Sequence, residues 1–96
     1  MTIEEIEAYS DQRVVARRNL SAGLWAGQKI GLKGRQLADY VQDVMKAGHI
    51  RSGFDDVLSK ISSDFVINGI IVRDSELRLR LIDLERASRN EFAATD

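Results

Sequence analysis

Glycines 23, 27 and 31 recur every fourth residue through the run Leu20-Ser21-Ala22-Gly23-Leu24-Trp25-Ala26-Gly27-Gln28-Lys29-Ile30-Gly31. On a helix this spacing brings them close to one face. The first two each cost such a helix about 1 kcal/mol relative to alanine. That cost makes sense only where another backbone or a large side chain presses against the glycine face. The chain also contains no proline, so helices run on until a glycine stops them, and Gly31 is placed to end the first in a left-handed cap. Together these features favour an all-α chain read as four helices, against which one hairpin signal competes.

The first helix is expected from Thr2 to about Ile30. Thr2-x-x-Glu5 reads as a capping box, with Met1 and Ile6 at the positions of a hydrophobic staple. Glu4, Glu5 and Glu7 favour the positive end of the helix dipole. The second helix is expected from Gly34 to His49, with Leu37, Val41, Val44 and Met45 on one stripe. Ser52-x-x-Asp55 announces a third, which buries Phe54, Val57, Leu58, Ile61 and Phe65. The fourth starts with Asp74 as N-cap and runs to about Asn90. Leu77, Leu81 and Leu84 form its seam, Leu79 and Ile82 widen it, and Glu76–Arg80 and Glu85–Arg89 are i,i+4 pairs. One segment competes: Asn68-Gly69 between β-branched residues from Phe65 to Val72 is also a strong hairpin signal.

A first helix of about 28 residues spans about 42 Å, whereas helices of 15 to 17 residues span only about 24 Å. The first ten to fourteen residues are therefore expected to project from the bundle or fray. The projecting piece carries Ile3, Ile6 and Tyr9 on one side and acids on the other, a pattern suited to a partner's groove as well as to a plain frayed terminus. Arg13, Arg17, Arg18 and Asn19 stand where this helix leaves the bundle. The arginines have two open roles: pairing with acids of helix three or four, or meeting an acidic partner surface. Trp25, flanked by Ala22, Gly23 and Ala26, is expected to anchor the core. The whole chain, residues 1–96, reads as a single domain with a 1–16 arm, a 17–90 bundle and a 91–96 frayed tail.

Composition narrows the function. With no cysteine and a single histidine, His49, the chain has no thiol chemistry and cannot assemble a zinc site from histidines and cysteines alone. Asp39 and Asp43 lie one turn apart, which is the usual pattern of a solvated face. No nucleophile-elbow setting surrounds the serines, and Gly31-Leu32-Lys33-Gly34 lacks the phosphate-loop spacing. Catalytic and metal-site residues are accordingly expected to be none. No apolar run approaches the ~18 residues that a membrane span requires, and the acidic N-terminus is unlike a signal peptide, so a cytoplasmic protein is expected. Charge is uneven beneath a net of −1: residues 1–11 carry four acids and no base, residues 12–51 eight bases against two acids. A basic middle suits an acidic surface or a phosphate. Acids at Asp39 and Asp43 on the would-be recognition helix argue against nucleic acid.

Several segments occur in the order and spacing of a known family. They are Ala16-Arg17-Arg18-Asn19, Gly23-Leu24-Trp25-Ala26, Gly31-Leu32 with Gly34, and Leu37-Ala38-Asp39-Tyr40-Val41. Asp55-Asp56-Val57 through Asp64 and Ser75-Glu76-Leu77-Arg78 continue the series. From Ala16 to about Arg86 the chain resembles the zeta-subunit inhibitors of alphaproteobacterial F-type ATP synthases. The resemblance implies a four-helix bundle that binds the catalytic head of the synthase and blocks ATP hydrolysis, as a regulator and not an enzyme, monomeric when free. It favours a helix through Ile67 with Gly69 as its cap over the hairpin. Adenine nucleotide is the one ligand it suggests, without a place for it, so the alternative is a non-inhibitory module binding another protein or that nucleotide. In inhibitory members the blocking element precedes the Arg-Arg-Asn block and is rich in phenylalanine and lysine. Here the sixteen residues before Arg17 contain no Phe, His or Lys, so the resemblance implies binding more directly than inhibition.

Overall fold

The computed structural model describes residues 2–49 and 53–95, and for residues 7–10, 94 and 95 the helical backbone alone. Four helices make up the described residues: α1 Ile3–Ile30, α2 Gly34–His49, α3 Phe54–Ile67 and α4 Asp74–Thr95. No strand occurs among them. The helices alternate in direction, with α2 and α4 flanking α1 and α3 completing the bundle.

Local chemistry explains each boundary. Thr2 Oγ1 accepts from the Glu5 amide at 3.2 Å, capping α1; Met1, the other half of the expected staple, lies outside the described residues. At the far end Gly31 takes φ 100°. The Gly31 and Leu32 amides donate to Gln28 and Gly27 carbonyls at 3.0 and 2.9 Å, closing a Schellman cap. The same cap ends α3. Gly69 has φ 70°, and the Ile70 amide reaches the Phe65 carbonyl at 2.8 Å. Asn68-Gly69 is therefore a helix stop and not a hairpin turn, and Ile70 and Val72 turn inward onto the core while Ile71 is 98% exposed.

Two expected caps fall differently. The N-cap of α3 is Gly53, with its carbonyl accepting from Val57; Ser52 lies outside the described residues. Asp74 is already helical, and its carboxylate accepts from Ser62 Oγ at 3.1 Å, joining α3 to α4.

The glycine face has its close neighbour. A Cβ at Gly23 would stand 3.0 Å from Val41 Cα, and one at Gly27 would run into Leu37 Cδ1 and Tyr40. Those three residues belong to α2, so the two glycines set how near α1 and α2 approach. The core between the helices holds Ala22, Ala26, Val44, Val57, Leu58, Ile61, Phe65, Leu77 and Leu81. Trp25 is half-buried against it, its ring edge-on to Phe65 at 5.6 Å, with the Arg80 guanidinium over its outer face. Leu79 and Ile82 do not widen the seam of α4: they are 61% and 37% exposed on its outer side, while Ser88 continues the stripe of Leu77, Leu81 and Leu84.

α4 is the main departure. It has 22 residues and runs through Thr95, about 33 Å of helix, rather than stopping near Asn90. No glycine or proline interrupts Asn90-Glu91-Phe92-Ala93-Ala94-Thr95, and Glu91 and Phe92 find contacts on α1. Residues 91–95 are thus helical, and Glu91 and Phe92 cover part of α1 that was expected to project. Among the described side chains, Asp11 already meets α4 through Arg89, while Ile3 and Ile6 stay exposed in the first turns. The radius of gyration, 13.9 Å, exceeds the roughly 12.5 Å of a compact chain of this length.

Candidate functional site

The N-terminal half of α1 is where exposed apolar groups and unusual charge placement meet. Capped by Thr2, its opening turns are helical, and they leave Ile3 74% and Ile6 48% exposed. Both stand on a segment with Glu4 and Glu5 in the first turn. The side chain of Tyr9, expected on the same stripe, lies outside the described residues.

The next turns meet α4. Asp11 accepts from Arg89 at 3.3 Å, the Arg13 guanidinium lies 4.4 Å above the Phe92 ring, and Arg17 Nε donates to Glu91 at 3.3 Å. All four members of the two ion pairs are at least two-fifths exposed. Val14 is buried beneath them.

One residue further on, the environment reverses. Arg18 is 2% exposed and Asn19 3%. Arg18 Nε and Nη2 both donate to Asn19 Oδ1, at 3.0 and 2.9 Å, and Nη1 donates to Glu85 at 3.1 Å. Phe54 of α3 sits against the guanidinium. Burial pushes the Arg18 pKa down, and the charge and hydrogen bond of Glu85 pull it back up. Asn19 in turn packs where any side chain at Gly48 would strike its amide. Arg18 and Asn19 therefore lock α1, α2, α3 and α4 at one level of the bundle, and little of either side chain reaches the surface. Of the seven residues expected to bind a partner, the structure leaves Ile3, Ile6, Arg13 and Arg17 accessible, the two arginines already engaged by α4.

Sequence reasoning left the arginine partners open between acids of the chain and acids of a partner. It missed Asp11, Glu85, Arg89, Glu91 and Phe92 as their companions. Glu85 and Arg89 looked like a pair along α4, an assignment local spacing favours; in the fold each reaches across to α1 instead. The extension of α4 past Asn90, free of glycine and proline, was the one signal that could have revealed Phe92.

A cleft of about 630 Å³ opens between the start of this region and the end of α2, lined by Asp11, Gln12, Ala16, Asn19, Met45 and His49 among others. Its described lining carries an acid and no lysine or arginine, which does not suit the phosphates of a nucleotide. Among the described residues no three His, Cys, Asp or Glu side chains gather as a metal site, and no helix is long and apolar enough to cross a membrane.

The fold and this surface define a class: an all-α, four-helix protein with exposed apolar side chains on its N-terminal turns. A sequence model of the family ATPase inhibitor subunit zeta matches residues 5–91. The chain belongs to that family. No curated protein and no solved structure matches it at a significant level.

Proposed function

We propose that this chain binds the catalytic head of an F-type ATP synthase through the N-terminal turns of α1 and restrains ATP hydrolysis there. The observation that carries the reading is the exposure of Ile3 and Ile6, 74% and 48%, on a capped helical segment ahead of the bundle. Fully burying an isoleucine contributes about 1.5–3 kcal/mol. Scaled to those exposures, covering both by a partner's groove contributes about 1.8–3.7 kcal/mol, or roughly twenty- to four-hundredfold in affinity. Glu4 and Glu5 beside them favour a groove with basic groups at its rim. Membership of an inhibitor family supplies the partner.

The test is ATP hydrolysis by a purified catalytic head from an alphaproteobacterium, titrated with the full chain and with Ile3→Ala/Ile6→Ala. Both isoleucines lie outside the core, so the double variant keeps the bundle. The expected result is inhibition by the full chain and a loss of potency of twentyfold or more in the variant. Equal potency of the two would remove the N-terminal turns from the contact, and unchanged hydrolysis with both would remove the function.

A further inference from the structure

We infer that the last turns of α4 form a latch that holds residues 11–17 of α1 against the bundle, and that this latch must open before a partner seated on Ile3 and Ile6 extends onto residues 11–17. The second half of the inference rests on the function proposed above; the first does not.

Three contacts make the latch: Asp11 with Arg89, Arg17 with Glu91, and the Arg13 guanidinium over Phe92. The ion pairs run in opposite senses, acid to base and base to acid, so a slipped register would bring like charges together. What distinguishes these contacts from the bundle is their exposure. The side chains of the two ion pairs are 43–64% exposed, where salt screens a pair within a Debye length of about 8–10 Å and each pair is weak. Val14 is the one buried apolar residue named in this stretch of α1, whereas Ala22 and Ala26 belong to the continuous core further along.

The boundary between releasable and fixed helix falls between two neighbours. Arg17 is held by one exposed carboxylate at 3.3 Å. Arg18, 2% exposed, donates three hydrogen bonds to Asn19 and Glu85 and cannot leave without stranding a buried charge. Segments held by few buried contacts and exposed polar ones open first. Residues up to 17 are thus free to swing while Arg18 stays as the root.

Arg89, Glu91 and Phe92 consequently compete with any partner for Asp11, Arg13 and Arg17. They do so within one chain, at an effective concentration a separate molecule cannot match. A partner that takes these residues must offer an acidic group to Arg17 and an aromatic or acidic one to Arg13. Its apparent affinity is lowered by the fraction of time the latch is closed. The C-terminal turns of α4 therefore act as an autoinhibitory strap on the arm.

Amide hydrogen exchange on the full chain tests this. In Arg89→Ala/Glu91→Ala/Phe92→Ala, amides 11–17 should exchange about tenfold faster, the combined weight of two exposed ion pairs and one cation–π contact, while amides 18–30 stay protected. Asp11→Arg should open the same segment, and adding Arg89→Asp should close it again. No acceleration, or equal acceleration through Ile30, overturns the latch; the swap keeps the test decisive if the triple variant is globally unstable. In the hydrolysis assay the triple variant should inhibit at roughly tenfold lower concentration. Faster exchange without that gain overturns the second half. If neither wild type nor variant inhibits at all, the proposed function fails, and the exchange result alone still decides the latch.

Discussion

Glu85 and Asp83 lie two residues apart on α4, each within ion-pair distance of an arginine, and replacing each by alanine should have very different consequences. Glu85 accepts from Arg18, whose side chain is 2% exposed, at 3.1 Å. Removing it breaks the Glu85 ion pair of a buried guanidinium, and breaking such a pair costs about 3–5 kcal/mol where both partners are fully buried. Glu85 is itself 31% exposed, so water takes up part of its role and the expected loss falls to about 2–3 kcal/mol. Asp83 and Arg86 stand 3.8 Å apart with exposures of 66% and 71%, and losing that pair should cost no more than about 0.5 kcal/mol. Both substitutions put alanine into a helix and gain similar small amounts of propensity, so the contrast isolates burial. Urea unfolding followed by circular dichroism would show the Glu85→Ala midpoint lowered by about 1–2 M with the slope unchanged, and thermal melting should fall by about 10–20 °C. Asp83→Ala should stay within about 3 °C of wild type. Equal shifts for the two would refute the view that Arg18 is a buried charge held by Glu85.

Two further outcomes follow from named positions. Gly31→Ala should cost about 1–2 kcal/mol through its left-handed φ of 100° alone, since nothing lies within 4 Å of a Cβ there. Gly23→Val should cost at least as much through packing, because its Cβ would press on the Val41 backbone at 3.0 Å, and overpacking costs about 1–3 kcal/mol; thermal melting separates the causes, since Gly31→Asn, which tolerates a left-handed φ, should cost less than Gly31→Ala. Tyr40 is the other prediction. Burial first, then its hydrogen bond and charge repulsion with Asp64, push its phenol pKa up from 10.0. Above pH 10 the unfolded chain therefore loses a proton that the folded chain keeps, so stability should fall as pH rises from there. Tyr40→Phe should flatten that fall in urea titrations between pH 9 and 11, and an unchanged slope would count against the shift.

Much of the bundle was readable from the chain because the deciding signals were local. Gly31, the Thr2 cap and the stripe of Phe54, Val57, Leu58, Ile61 and Phe65 each act within a turn or two. The Asn68-Gly69 pair was ambiguous for the same reason: a hairpin turn and a Schellman cap use one residue type at a positive φ, and only the inward packing of Ile70 and Val72 separates them. At the candidate site the local rules misled. Glu85 and Arg89 have i,i+4 spacing, yet a partner from another helix out-competes it when burial makes that contact stronger. The outward turn of Leu79 and Ile82 follows from the step of about 100° per residue, which carries them away from the Leu77, Leu81 and Leu84 stripe; Ser88 stays on that stripe, its hydroxyl donating to the Leu84 carbonyl at 2.8 Å.

What the amino-acid sequence determined by itself was that this chain is largely helical, that α1 stops at Gly31, and that Gly23 and Gly27 require a close neighbour. These are consequences of propensity, capping and the missing side chain, all properties of a few consecutive residues. Tertiary structure alone decided that the neighbour is the Val41 and Leu37 face of α2, and that Arg17 is exposed while the adjacent Arg18 is buried. It also decided that α4 reaches far enough to strap residues 11–17. Consecutive residues on a helix point about 100° apart, and which of those directions meets a core, a carboxylate or open water depends on where three other helices lie.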